Sequence, residues 1–227
     1  MNCAIIMAAG KGKRMKTDIN KQFILLKGKP ILAYTIDKFQ KNSSIDEIII
    51  VAAPDEISFC ENEIVYKYSF NKVKKVVCGG KERQNSVING LMAAKESDIV
   101  LIHDGARPFI DDRIINQGIE YAKTYGGAAC GITPKDTIKV RNIDGFSEKT
   151  LDRSKLFCVQ TPQCFKYEDI LNAHIYAKEK NVLATDDTML FEMMGNRVYL
   201  YEGSYNNIKI TTPEDLYSAE KIMNSEC

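Results

Sequence analysis

Only two histidines, His103 and His174, occur in the 227 residues, so little material exists for a histidine-based general base. Charge of neither sign is in excess. Lysine and arginine number 31 against 30 acidic residues, and a net charge of +1 argues against a broad nucleic-acid or membrane-binding surface. Any anion site must be local. No apolar run approaches the ~20 residues that cross a bilayer, and the N-terminal apolar stretch precedes its lysines, the reverse of a secretory signal. The expectation is a cytoplasmic protein with no nucleic acid and no membrane partner. No C-x-x-C pair is present, and the seven cysteines (Cys3, Cys60, Cys78, Cys130, Cys158, Cys164, Cys227) are odd in number, so reduced and buried thiols are expected. Two glycine motifs are missing as well. A dinucleotide fingerprint would need glycine or alanine where Met15 stands, and no G-x-x-x-x-G-K-[ST] string occurs. A nicotinamide oxidoreductase is thereby disfavoured.

What is present at the N-terminus is an apolar run, Cys3 to Ala9, that breaks into Gly10-Lys11-Gly12-Lys13-Arg14-Met15, with Lys21 close behind. The run reads as a buried strand opening into a loop. Ala8, Ala9, Gly10 and Gly12 have almost no side-chain bulk, so main-chain amides can approach an anion, while Lys11, Lys13, Arg14 and Lys21 bring positive charge. Such a loop suits a nucleoside triphosphate.

Downstream, strand-like and helix-like segments alternate as a parallel sheet requires. Pro30 opens a helix with Ile31, Leu32, Thr35, Ile36 and Phe39 on one face; 47–53 is a buried strand; a helix is expected over 55–69 and a strand over 73–78. Gly79-Gly80 turns the chain into a helix with Val87, Ile88, Leu91 and Met92 inward, and 98–102 is the next central strand. His103-Asp104-Gly105-Ala106-Arg107-Pro108 then leaves the carboxyl end of that strand, where ligands sit in open α/β sheets, and should face the first loop. A helix over 111–125 and a strand over 128–133 follow, and regularity fails between Pro134 and Cys164. There, two short strands flank Asp144-Gly145, a hairpin signal. The expected organisation is one α/β domain over 1–227, Rossmann-like, with a mostly parallel central sheet flanked by helices and a projecting β-arm over 136–160 that finds a partner subunit.

Several segments carry polar groups suited to chemistry. Gly79-Gly80-Lys81-Glu82-Arg83-Gln84-Asn85-Ser86 is either a plain strand-to-helix connection or, with Ser86 and the loop backbone, a reader of a base edge. Asp104 and Arg107 form either a local salt bridge in a turn or a hold on a ribose hydroxyl, a metal-bound water and a phosphate. His103 reads as a hydrogen-bonded structural residue. Taken singly, Arg153 and Lys209 read as surface charge, Thr161-Pro162-Gln163 as a turn, and Thr185-Asp186-Asp187 and Thr212-Pro213-Glu214-Asp215 as helix starts. A phosphomonoester acceptor, mostly dianionic above its second pKa of ~6, needs no base to become a nucleophile. Cations, amides and magnesium would suffice to bring it to a nucleotide.

Together the blocks AAGKGKRM (8–15), KQF (21–23), GGKERQNSV (79–87), HDGARPF (103–109), KDTIK (135–139), TLDRSKL (150–156), QTPQ (160–163), TDD (185–187) and EGSYNNIKITTPEDL (202–216) resemble the 2-C-methyl-D-erythritol 4-phosphate cytidylyltransferase family over nearly the whole chain. The resemblance implies a nucleotidyltransferase that joins CTP to a sugar-alcohol phosphate with release of pyrophosphate, uses Mg2+, and works as a homodimer with exchanged arms. It implies that Arg14 and Lys21 stabilise the transition state and that Arg153 and Lys209 position the acceptor phosphate. Gly79, Gly80 and Ser86 would recognise cytosine, Ala8, Ala9, Gly10 and Gly12 would line the nucleotide site, and Asp104 would lie beside ribose and metal. Asp104, Arg107, Thr137 and Thr161 would complete the acceptor pocket, Thr185 of the TDD block would touch substrate, and Thr137 and Arg153 would serve the neighbouring subunit. Met7 stands where the family often has proline. The similar ribitol 5-phosphate cytidylyltransferases leave a second acceptor open, although TLDRSKL and TDD favour methylerythritol phosphate.

Overall fold

The structure, a computed structural model, describes residues 1–10, 15 and 20–225. Arg14 and Gly12, both expected at the nucleotide, lie outside the described residues, as do Lys11, Lys13 and Cys227. Strand β1 (Asn2–Met7) is followed by a small hairpin of β2 (Leu25–Leu26) and β3 (Lys29–Pro30), then by α1 (Ile31–Lys41) and β4 (Glu47–Ala52). The single helix expected over 55–69 is instead a chain of tight, regular and wide turns over 54–66, with α2 (Ile57–Phe59) in its middle. Then come β5 (Val73–Cys78), α3 (Arg83–Ala93), β6 (Ile99–Asp104), α4 (Asp112–Tyr125) and β7 (Gly127–Ile132). The final third holds β8 (Lys139–Arg141), β9 (Ser147–Thr150), β10 (Cys158–Lys166), α5 (Tyr167–Glu179), α6 (Asp187–Met193), β11 (Val198–Glu202) and α7 (Pro213–Ser225).

The central sheet has the order β11-β7-β10-β6-β1-β4-β5, and β10 alone among these strands runs antiparallel to its neighbours. Alternate residues of the central strands feed two cores, as the strand period of two demands. Ala4, Ile6, Ile48 and Ile50 pack with Leu32 and Ile36 of α1 and Ile114 and Ile115 of α4 on one face. Cys3, Ile5, Ile49 and Val51 pack with Val87 and Leu91 of α3 and Ile170 of α5 on the other. Both faces of these strands are covered, which is why they read as unbroken apolar runs. Met92, expected inward, is 48% exposed.

Strand β10 departs most from expectation, because Thr161-Pro162-Gln163, expected as a turn, lies inside it. Proline has no N–H for a ladder, and the pairing with β7 jumps from Val159 to Gln163 while pairing with β6 starts only at Gln163. The irregularity accommodates the proline. The Asp144-Gly145 hairpin forms as expected: β8 and β9 pair antiparallel in a sheet of their own, Gly145 takes φ +94°, and Ile143 at the turn is fully exposed. Of the cysteines, Cys3, Cys60, Cys130 and Cys164 are buried, whereas Cys78 and Cys158 are exposed; all six are free.

Candidate active site

From β1 the chain builds outward through β4 and β5, then crosses back to place β6 on the other side of β1. Such a reversal opens a crevice at the carboxyl ends of the two strands. Met7 and Asp104 are register partners there, so the last residues of both strands face one opening. A cavity of about 920 Å³ occupies it, lined by Ala9, Gly10, Lys21, Gly79, Gly80, Arg83, Ser86, Asp104 and Lys209, among others. That volume suits a nucleotide-sized ligand.

The loops around the cavity hold one another. A Cβ on Gly79 would come within 2.5 Å of the Ala9 Cβ and 3.1 Å of the Ser86 Oγ, so only glycine lets the loop after β5 close on the loop after β1. Ser86 Oγ accepts from the Gly80 N–H at 3.0 Å and donates to the Glu82 carbonyl at 3.1 Å, shaping the turn it was expected to use for reading a base. The Ala8 N–H donates to the Val51 carbonyl and the Gly79 N–H to the Ala52 carbonyl, both at 2.7 Å, so these amides serve the sheet. Gln22, missed from sequence, is buried and donates to the Ala8 carbonyl, tying the Lys21 segment under the first loop. Lys21 Nζ donates to the Ile210 carbonyl at 3.1 Å.

Asp104 is the electrostatic centre. Its Oδ2 lies 2.9 Å from Lys209 Nζ and 3.2 Å from Arg107 Nε. Burial alone would push this carboxyl up; Lys209, Arg107 and Arg83 outweigh burial and hold it well below the usual carboxylate range. Arg107, expected toward the acceptor, is turned inward and also donates to the Asn207 carbonyl at 2.7 Å, outside the cavity lining. Asn207 is itself buried and bonds Gln160 and the Thr161 carbonyl, so the segment carrying Lys209 is clamped to β10.

Thr161 does not line the cavity either. Its hydroxyl accepts from the Asp104 N–H at 3.0 Å and sits 3.2 Å from His103 Nδ1, while His103 Nε2 faces the Arg107 carbonyl at 3.1 Å. A carbonyl can only accept, so Nε2 carries the proton and Nδ1 accepts from Thr161. His103 is therefore a buried, neutral strut, and burial lowers its pKa to about 4. Between the ordinary value of about 6.5 and about 4 the unfolded chain binds the proton and the folded one does not, so stability falls with falling pH in that window. The expected loss from pH 7 to pH 4 is about 3 kcal/mol. Urea unfolding at stepped pH should show it in the wild type and not in His103→Gln; parallel slopes would contradict the assignment.

Of the remaining expected residues, Thr137, Arg153 and Thr185 are exposed or on exposed segments and do not line this cavity. Arg153 donates to the Lys135 carbonyl beside the hairpin, and Thr185 Oγ1 faces Met189 Sδ at 3.9 Å. Asp186, as expected for the TDD block, caps α6 by accepting from the Met189 N–H at 3.0 Å.

Comparison with known proteins decides the family. The family model described as IspD, 2-C-methyl-D-erythritol 4-phosphate cytidylyltransferase, matches residues 2–225. The chain belongs to this family. A 2-C-methyl-D-erythritol 4-phosphate cytidylyltransferase of Clostridium acetobutylicum is 72% identical over 98% of this chain and 97% of its own length. One from Clostridium novyi is 64% identical over 98% of this chain and 96% of its own. Among solved structures, a 4-diphosphocytidyl-2C-methyl-D-erythritol synthase of Anaerococcus prevotii superposes with a TM-score of 0.87 at 32% identity, covering 98% of this chain and 96% of that one. Membership makes the chain a nucleotidyltransferase enzyme, and its mostly parallel sheet is that of its IspD neighbours. The IspD cavity also contains Arg83, whose role is not evident from its neighbours in sequence. Its signal is a partner 104 positions away, Asp187, at 2.7 Å.

Proposed function

We propose that this chain transfers CMP from CTP to the phosphate of 2-C-methyl-D-erythritol 4-phosphate, releasing pyrophosphate and 4-diphosphocytidyl-2-C-methyl-D-erythritol for isoprenoid synthesis. The supporting observation is that Lys21 and Lys209, far apart in sequence, share one cavity at the ends of β1 and β6 in a member of this family. The acceptor phosphate, already a dianion, attacks the α-phosphorus of CTP. An oxygen–phosphorus bond forms, the bond from the α-phosphorus to its bridging oxygen breaks, and pyrophosphate leaves with that electron pair. No proton has to be removed, which agrees with a neutral His103 held away from the cavity in a closed set of bonds.

Lys21 and Arg14 stabilise the charge that grows around the α-phosphorus, and Lys209 and Arg153 draw the acceptor phosphate into line. Ala9 and Gly10 give the nucleotide room, and the Gly79–Ser86 loop forms the wall at the base. Magnesium fits the donor set, since Asp104 supplies one hard carboxylate at the cavity wall with both cations on Oδ2, and this ion is commonly held by one or two carboxylates together with substrate phosphates. When bound, it would neutralise phosphate charge beside Asp104.

The arm fits a homodimer. Thr137 and Arg153 flank a hairpin whose Ile143 and Phe146 are 101% and 71% exposed, apolar surface that a second copy of the chain would cover. If Arg153 serves the partner's site, Arg153→Ala raises the KM for methylerythritol phosphate about tenfold and leaves CTP binding nearly unchanged. Unchanged acceptor dependence in a steady-state titration would remove it from the site. The whole reading is tested by a grid of the four nucleoside triphosphates against methylerythritol phosphate and ribitol phosphate, followed by pyrophosphate release. Turnover is expected with CTP and methylerythritol phosphate; preference for ribitol phosphate, or no pyrophosphate, would overturn it.

A further inference from the structure

A buried polar chain runs behind the cavity wall through residues that the chemistry above leaves unused. Arg83 opens α3 and lines the cavity, with its side chain 35% exposed. One guanidinium nitrogen lies 2.7 Å from Asp187 Oδ2, and Asp187, at the start of α6, is 1% exposed. Asp187 Oδ1 faces His174 Nε2 of α5 at 3.1 Å, and the Asp187 N–H donates to Gln163 Oε1 of β10 at 3.1 Å. Gln163 in turn donates to Asp186 Oδ2 at 2.9 Å.

The chemistry of this chain is well determined. His174 Nε2 points at a carboxylate oxygen and so carries the proton, while Nδ1 is buried with no hydrogen-bond partner among the described residues. Burial raises the Asp187 pKa, but Arg83 first and His174 next pull it down, to about 2, so the carboxylate is ionised. Arg83 and Asp187 therefore cancel locally. Removing two charges from water is costly, and the arrangement leaves a cavity-facing guanidinium with spare N–H donors in a rigid plane, part of its charge met by Asp187 and part still felt at Asp104. Arg83 also sits on the Gly79–Ser86 loop, away from the Lys21 side of the opening in sequence, and within electrostatic reach of Asp104.

We infer that Arg83 binds the nucleoside part of the nucleotide, donating hydrogen bonds to neutral oxygen or nitrogen acceptors of the base and ribose, with Asp187 and His174 as its positioning residues. The inference rests on the CTP reading above. It separates Arg83 from the lysines: they meet phosphate, and Arg83 meets the nucleoside.

The test is calorimetric binding of CMP, CDP and CTP to the full chain carrying Arg83→Lys, which keeps a cation for Asp187 and so keeps the fold. The expected result is weakening by about tenfold, by the same factor for all three. Unchanged affinity, or a loss that grows with the number of phosphates, would overturn it. In a double-mutant cycle with Asp187→Asn, the double variant should bind CTP no more weakly than the worse single variant, with the acceptor KM unmoved. Additive losses would make Asp187 merely structural. Should Asp187→Asn fail to fold, His174→Gln, which returns an N–H to Oδ1, should keep CTP affinity where His174→Leu loses it; equal affinities would remove the positioning role. Wild-type protein that binds no CTP would sink the functional reading itself, whereas intact wild-type binding with an indifferent Arg83→Lys sinks this inference alone.

Discussion

Lys21→Ala lowers turnover at least ~100-fold while CTP binding weakens much less. The reason lies in where the ammonium stands. Lys21 lines the cavity on the segment that Gln22 fastens beneath the first loop, and its Nζ reaches the Ile210 carbonyl, so its position is held from two sides before any ligand arrives. A preorganised cation acts most strongly where charge develops, and in this transfer the growth of charge is at the α-phosphorus and the departing pyrophosphate, not in the ground-state nucleotide. Losing one such donor typically costs 2.7–4 kcal/mol in the transition state, which is about 100- to 1,000-fold in rate. The lost bond from the charged Lys21 donor to the Ile210 carbonyl costs about 1.5–3 kcal/mol of stability, which a thermal melt of the same sample reads separately from turnover. Pyrophosphate release at saturating CTP, set beside the CTP Kd from calorimetry, separates the two quantities. Equal losses in both would make Lys21 an ordinary binding residue.

The parts of this molecule legible from its sequence are those whose physics is local. Strands β1, β4 and β6 are buried and show as apolar runs, and β5 shows as a valine-rich segment closed by Gly79-Gly80, each with its ends in nearly the right place. The same holds for α1 and α4, whose apolar stripes recur with the helical period. Strand β10 was hidden because its centre reads Gln160-Thr161-Pro162-Gln163: polar residues that bond inward to His103, Asn207 and Asp187, and a proline tolerated only where the ladder slips. At the site, Lys21, Asp104 and Gly79 could be found because charge and small size next to strand ends are informative in themselves, whereas Lys209, which taken singly reads as surface charge, stands out only through the family resemblance. Arg83, Gln22 and Asn207 could not, since each takes its meaning from a partner distant in sequence: Asp187, the Ala8 carbonyl, and the β10 backbone. Thr161 and Arg107 show the converse. The family resemblance makes both substrate ligands, and in the fold the Thr161 hydroxyl accepts from the Asp104 N–H while Arg107 Nε lies 3.2 Å from Asp104 Oδ2.

That division of labour around Asp104 sets the second large effect. Lys209→Ala reduces kcat/KM for methylerythritol phosphate about 100-fold while the KM for CTP changes little. Asp104 has two cations on one oxygen, and after the substitution Arg107 still stands 3.2 Å from Oδ2, so the buried carboxylate is not left unpaired. The Lys209 side chain is 36% exposed, and a pair screened to that extent contributes about 1 kcal/mol or less to folding. For a domain of this size such a loss moves Tm by only ~2–4 °C. Activity is the larger casualty because Lys209 is the one of Asp104's two cations that lines the cavity, while Arg107 is drawn back to the Asn207 carbonyl. Steady-state titration of each substrate, with a thermal melt of the same sample, distinguishes the possibilities. A steep fall in Tm with unchanged acceptor dependence would make Lys209 a structural counter-ion for Asp104; a stable protein that can no longer use its acceptor places the ammonium on the phosphate it is expected to hold.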